Sequence, residues 1–347
     1  MRRKSNLSLI LCGALAAGAV WGQQPAPQRA AAYATAPNIP FEWVENYLKF
    51  PEGLYLGEGI GVARNSKDHL FVYTRSGESS RLFEFDETGE FVREIGRGLY
   101  GFSQAHAVRV DPEDNIWVVD EGTDMIIKFN PQGRVVMLLG RRPEAVEGLV
   151  ETPERGESWP PPAVPYRFGR PTDVAWDQQG NIFVSDGYVN SRVVKYDKNG
   201  RFVKDIGVRG TEPNQFNTPH SIQVDADGNV YVADRNNGRI QVYNNDLELK
   251  DIYDNVGRPW ALCITRGEHP YLYTSNSNPD NNNSVLTAVT GEIYKMELDG
   301  TVVGKFGEPG KLWGQFGTVH AIDCRDENEL FVAEITTWRV QKLILHP

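Results

Sequence analysis

The chain has 347 residues, 40% of them hydrophobic, with 36 Lys and Arg against 46 Asp and Glu and a net charge of −10. An acidic surface of this kind argues against nucleic acid and against an anionic membrane as partners. The length and the ordinary hydrophobic share allow one large domain with a full core, and no apolar run beyond the N-terminus is long enough to span a membrane.

The chain opens with MRRK, continues through an apolar stretch at residues 7–20, and reaches Val-Trp-Gly before Gln23. Basic start, apolar core and small-residue end predict a cleavable signal peptide over residues 1–22 and a secreted or periplasmic protein. Cleavage would remove three basic residues and no acid, taking the net charge from −10 to −13. Cys12 follows Ile-Leu and lacks the small residue expected before a lipid-anchored cysteine. Residues 23–40, rich in Ala, Pro and Gln, read as a flexible leader, and residues 41–347 as the folded domain. Only Cys263 and Cys324 then remain, and either a disulfide or two buried thiols would suit them.

From Ile60 onward a unit repeats. Its openings are IGVARN at Ile60, HAVRVD at His106, TDVAWD at Thr172, HSIQVD at His220, WALCIT at Trp260 and HAIDCR at His320. Most openings lead through a turn into a second strand, as in DPEDNIWVVD, DQQGNIFVSD and DADGNVYVAD. Third and fourth strands follow, with Asp-Gly, Asn-Gly and Gln-Gly pairs between alternating β-branched and aromatic runs. Four short strands at a period of roughly 40 residues mark a propeller blade. The fold expected is therefore all-β, a six-bladed β-propeller over residues 59–346. The last unit holds only about three strands, so a strand from residues 43–56 is expected to complete it. Two insertions, residues 141–170 and 275–291, interrupt the period, and loops of that length are often functional.

Half of the six histidines, His106, His220 and His320, hold the same repeat position in blades two, four and six. In a ring, alternate blades bring the three imidazoles to the axis, which predicts a metal site. Neutral imidazole suits zinc, and three protein ligands leave the open coordination position of a catalytic centre. His69, His269 and His346 lie outside the repeat position, in turns or at the terminus, and are expected to be surface or satisfied core residues. A second repeat position follows the second strand of the blades, giving Arg75 in TRSG, Tyr188 in SDGYVNSR and Arg235 in ADRNNGR. These turns should share a mouth with the histidines, because adjacent antiparallel strands start and end together. Two arginines and a tyrosine around a metal make an anion-binding, acid–base site.

The segment from PTDVAWDQQG through TPHSIQVDADGNVYVADRNNGRIQVY resembles the peptidyl-α-hydroxyglycine α-amidating lyase family, which belongs with the NHL-type six-bladed propellers. The motifs SDGYVNSR, TPHS and ADRNNGR carry the resemblance most specifically, and it extends more loosely over residues 59–345. It implies zinc on His106, His220 and His320, Tyr188 as catalytic tyrosine, and Arg75 and Arg235 as active-site arginines that bind the substrate. The implied reaction cleaves the N–Cα bond of a C-terminal α-hydroxyglycine, or of a related small α-hydroxy amide carrying a carboxylate, to an amide and glyoxylate. Three departures stand out. The family's third histidine is followed by an aspartate that helps hold a structural calcium; here Ala321 follows, which puts calcium in doubt. Thr318 and Val319 replace the usual Met-Pro before it, and Val189 replaces the cysteine after the tyrosine. Two other readings compete: a different metal-dependent lyase or hydrolase on the same site, and a non-enzymatic propeller that binds protein or glycan.

Overall fold

The computed structural model describes residues 36–77, 79–142, 164–276 and 291–347. The expected signal peptide, most of the leader and the bulk of both insertions lie outside them. Among the described residues, 24 strands make six four-stranded antiparallel sheets, and the one helical segment is a 3₁₀ turn at Arg235–Asn237. This is the six-bladed propeller expected from the repeat.

The first strand of each blade runs innermost: Glu58–Arg64, Ala105–Val110, Asp173–Trp176, Pro219–Val224, Pro259–Ile264 and Val319–Asp326. The turns that follow obey a common rule. Asp111, Asp177 and Asp225 each accept the backbone N–H groups two and four residues on, and the amide of the Asn at the fourth. The repeated D-x-x-G-N signature is thus a side-chain-locked turn. Gly180 and Gly228 take its left-handed position at φ 82° and 82°, and Asp114 takes it in blade two at φ 62°.

Blades pack face to face. Between blades two and three, Trp117, Val119 and Ile126 meet Val174, Val184 and Tyr196 in one buried cluster. Full burial of a side chain of this size stabilises by about 1.5–3 kcal/mol, and the ring repeats such a cluster at every blade junction.

The ring closes where the ends of the domain share a sheet. The strand Phe41–Val44 pairs antiparallel with Arg339–Leu345, Phe41 opposite Leu345. Closure was expected from residues 43–56, so the strand begins earlier and overlaps that segment only at Trp43 and Val44. The reason is packing. Phe41 seats its ring 5.5 Å from Phe306, while Tyr47, Leu48, Phe50 and Leu54 pack as loop against the cluster between blades six and one. Pro51 and Gly53, the latter at φ 80°, interrupt any strand there. The chain is held slightly before this point too: Asn38 bridges to Lys305, and Ile39 is buried in the cluster between blades five and six. A disulfide joins Cys263 and Cys324 on the inner strands of these same two blades, with 5.9 Å between their Cα atoms.

Candidate metal centre

Strand pairing slips once at each of the three histidines: between Ala105 and Ala107, between Pro219 and Ile222, and between Val319 and Ala321. A bulge places an extra residue on one strand and re-aims its side chain. Here it turns His106, His220 and His320 onto the axis, with ring centroids 4.6, 4.7 and 4.9 Å apart. One nitrogen from each ring lies within 4.8 Å of the others.

The rings are aimed by one device used three times. His106 Nδ1 meets the Thr172 carbonyl at 2.5 Å, His220 Nδ1 that of Trp260 at 3.0 Å, and His320 Nδ1 that of Ile60 at 2.7 Å. In each case a histidine of one blade reaches the opening of the next. A carbonyl only accepts, so each Nδ1 carries the proton and each Nε2 keeps a lone pair. The rings also stay neutral. Burial first, then the neighbouring imidazoles and arginines, hold His106 and His220 well below the usual histidine range and bring His320 to about 3. Three neutral imidazoles with converging lone pairs are the donor set of a zinc or similar transition-metal site.

The second repeat position forms the mouth. An acid ends the second strand and ties its turn to the residues leading into the first strand. Asp186 accepts Gly169 N at 2.8 Å, Asp234 accepts Asn217 N at 2.7 Å, and Asp120 accepts Ser103 N at 2.9 Å. The turns so fixed present Tyr188, Arg235 and Glu121. Tyr188 Oη stands 3.2 Å from His106 Nε2 and 3.3 Å from His220 Nε2. Arg235 lies over the Tyr188 ring at 5.7 Å and over the Trp260 ring at 4.6 Å. Among the described residues its side chain makes one hydrogen bond, and a long one, Nε to Asn236 Oδ1 at 3.3 Å, so its guanidinium is mostly available to a ligand. Arg75 is more committed. It donates to the Ala105 carbonyl at 2.9 Å and to Glu121 Oε1 at 2.7 Å.

Tyr188, Arg75, Arg235 and the three histidines therefore meet at one end of the channel. The peripheral His69, His269 and His346 face Glu84, Glu297 and Glu42 instead. Three further residues of the mouth escaped the sequence reading. Trp260, buried, packs its indole 5.1 Å from His220 and 5.9 Å from His320. Glu121, also buried, pairs with Arg75 and, at 3.1 Å, with Arg170. Arg170 covers the Tyr188 ring at 4.9 Å. Glu121 occupies the same repeat position as Arg75 and Arg235, and Trp260 the same position as the histidines, so the register could have found both. The surroundings of Tyr188 oppose its ionisation. Burial and the Glu121 carboxylate push its phenol up to about 12, against Arg235, Arg75 and Arg170. The arginines alone do not ready it as a base.

A six-bladed propeller with a buried three-histidine cluster at its axis defines the class. The NHL repeat family matches residues 216–243, the core of blade four. Virginiamycin B lyase from Staphylococcus aureus shares the fold, with a TM-score of 0.55 at 12% identity over 88% of this chain and 100% of that one. A protein of Caenorhabditis elegans named as a probable peptidyl-alpha-hydroxyglycine alpha-amidating lyase is 30% identical over 325 residues, covering 84% of this chain and 83% of the relative. The mouse peptidyl-glycine alpha-amidating monooxygenase is 31% identical over 298 residues, which are 74% of this chain and only 28% of the mouse protein. The chain belongs to the peptidyl-α-hydroxyglycine α-amidating lyase family, and it spans less than a third of the length of the alpha-amidating monooxygenases it matches.

Proposed function

We propose that the protein is a zinc-dependent lyase that cleaves the N–Cα bond of a C-terminal α-hydroxyglycine, or of a related α-hydroxy amide, to an amide and glyoxylate. The observation that supports this most is the convergence of three Nε2 lone pairs with the Tyr188 hydroxyl 3.2 and 3.3 Å from two of them. The names of the relatives support lyase-like chemistry.

His106, His220 and His320 would hold the metal. A zinc ion bound there supplies Lewis acidity and lowers the pKa of a coordinated hydroxyl. The chain's own groups supply the rest. Arg235, stacked on Trp260 and little committed, receives the substrate carboxylate, which orients the α-carbon toward the histidines. Arg75, braced by Glu121 and Ala105, contributes fixed positive charge beside it. Tyr188 Oη takes the hydroxyl proton. The carbon–oxygen bond becomes a carbonyl, the N–Cα bond breaks, and its electron pair goes to the amide nitrogen, which takes up a proton. Tyr188 is placed to return that proton. Because burial and Glu121 hold its phenol near 12, its service as a base depends on positive charge at the histidine cluster.

The N-terminal pattern of residues 1–22 supports a secreted or periplasmic setting, where the Cys263–Cys324 bridge is chemically at home. The proposed partner is a small molecule or peptide with a free carboxylate. The test is glyoxylate release from an α-hydroxyglycine peptide. We expect release by the zinc-loaded protein, loss on chelation and return with added zinc. No release from fully loaded, folded protein would exclude this reaction.

A further inference from the structure

Beneath the histidines the channel narrows to a space of about 10 Å³ whose lining includes Arg109, Asp173, Ser221 and Ala321. That is roughly the room of one water. The residue that closes it is Arg109, on the inner strand of blade two, three residues after His106. Its guanidinium donates twice to Asp173 of blade three, Nε to Oδ1 at 2.9 Å and Nη2 to Oδ2 at 2.5 Å. The same Nη2 reaches Ser221 Oγ of blade four at 3.2 Å and the Leu262 carbonyl of blade five at 3.3 Å. Blades two and five stand opposite each other in a six-membered ring, so this side chain crosses the channel.

The site does not fit the structural calcium that the family resemblance implies. Calcium takes several oxygen ligands with carboxylates among them. Ala321 offers no side-chain oxygen where the family has an acid. The acid in reach is Asp173, 2% exposed, and its oxygens already take five hydrogen bonds: two from Arg109 and one each from Val174 N, Ser221 Oγ and Ile222 N. A dication here would also face a guanidinium at contact distance.

We propose that Arg109 is the built-in cation of the channel floor: it stands in for calcium and acts as a positioning residue for the histidine site. The partners it ties down are the neighbours of the groups that aim the rings. Asp173 follows Thr172, whose carbonyl receives His106 Nδ1–H. Ser221 follows His220. Leu262 lies two residues past Trp260, whose carbonyl receives His220 Nδ1–H. Arg109 therefore holds three blades in the register that lets two of the three imidazoles point at one spot. The positioning half of the proposal rests on the reading of the histidines as a metal site; the calcium half does not.

Two measurements test it, both independent of turnover. The first is elemental analysis of the parent protein after dialysis against calcium chloride, with a thermal melt in and out of calcium. We expect far less than one calcium per chain and an unchanged melting temperature. One tightly held calcium that raises the melting temperature would overturn the first half. The second is zinc affinity by competition with a chelator. Arg109→Met alone strands a buried carboxylate, so the informative variant is Arg109→Met with Asp173→Asn, which removes both charges together. We expect it to fold and to bind zinc on the order of 10–100-fold more weakly, the usual cost of removing support from ligating histidines. Arg109→Lys is the second variant should that pair not fold. It keeps the charge but loses the fork that spans to blade five, and it too should weaken zinc binding. Parental zinc affinity in the folded variant would show that Arg109 merely neutralises Asp173, and would overturn the positioning role.

Discussion

Blades two, four and six share a strand plan with blades one, three and five, yet the two sets do different work at the axis. The even blades put His106, His220 and His320 in a bulge at the start of the inner strand. The odd blades put a backbone carbonyl at the same level, from Thr172, Trp260 and Ile60, and each accepts one Nδ1–H. Alternation thus supplies ligands and their orienting groups from a single repeat. A second division of labour lies at the mouth, where blades one and four bring arginines, blade two brings an acid, and blade three brings a phenol. The lesson is that the repeat fixes where a side chain will sit, and the identity at each position divides the labour.

The largest effect that would sharpen this picture is at Tyr188. Tyr188→Phe keeps the ring between Arg170 and Arg235 but removes the hydroxyl next to the histidines. Steady-state assays should show turnover lower by on the order of 10²–10⁴, with metal content unchanged. Parental turnover would make the phenol a packing group and move the base elsewhere.

Next is the contrast between the two arginines. Arg235 is little committed, whereas Arg75 is held by Glu121 and Ala105. Arg235→Lys should raise KM for a free-acid substrate by about tenfold and barely change it for the corresponding amide. Glu121→Gln loosens Arg75 and also removes the carboxylate that raises the Tyr188 phenol, so it should change kcat and the pH profile of kcat with little change in KM. Equal KM effects from both variants would erase the distinction between receiver and brace.

The pH dependence of the chelated protein follows from the histidines. Their folded-state pKa values lie below the ordinary 6.5, with His320 at about 3. Between those limits the unfolded chain binds protons that the folded chain refuses. Stability therefore rises with pH through this window and is lost as pH falls below about 6.5. Melting curves of the metal-stripped parent should show that slope, and a variant with all three histidines changed to Asn should show much less of it. Identical slopes would mean that other groups set it.

The smallest effect at the site belongs to the disulfide. Replacing Cys263 and Cys324 by Ala should cost about 2–4 kcal/mol by denaturant titration while leaving zinc stoichiometry as it was. The bridge clamps blades five and six further along the same inner strands that carry Trp260 and His320, so a loss of metal in this variant would show that the clamp helps to hold the histidine site.

How far the sequence reaches depends on whether a feature is written in one blade or across several. The propeller, its blade starts and the histidine cluster could be read because each is a property of repeat register. Tyr188, Arg75 and Arg235 could be placed at the mouth for the same reason. Glu121 shares their register, but an acid among arginines drew no attention without the geometry that pairs it to Arg75 and Arg170. The closing strand was misplaced by a few residues because Phe41 is chosen by Phe306, on another blade. Pairing of the two cysteines depended on how adjacent blades stack. Arg109 was not readable at all: its partners come from three other blades, and no local pattern announces a side chain that crosses the channel. The direction of the Tyr188 shift was hidden likewise, since it turns on burial and on Glu121.

The most direct test of the central claim is the transition-metal content of the purified protein beside that of His106→Ala with His220→Ala. The account predicts about one zinc per parent chain and none in the double variant, which should still show the all-β spectrum of an intact propeller, because blade packing and not the ion makes the core. Full metal content in the folded double variant would contradict it.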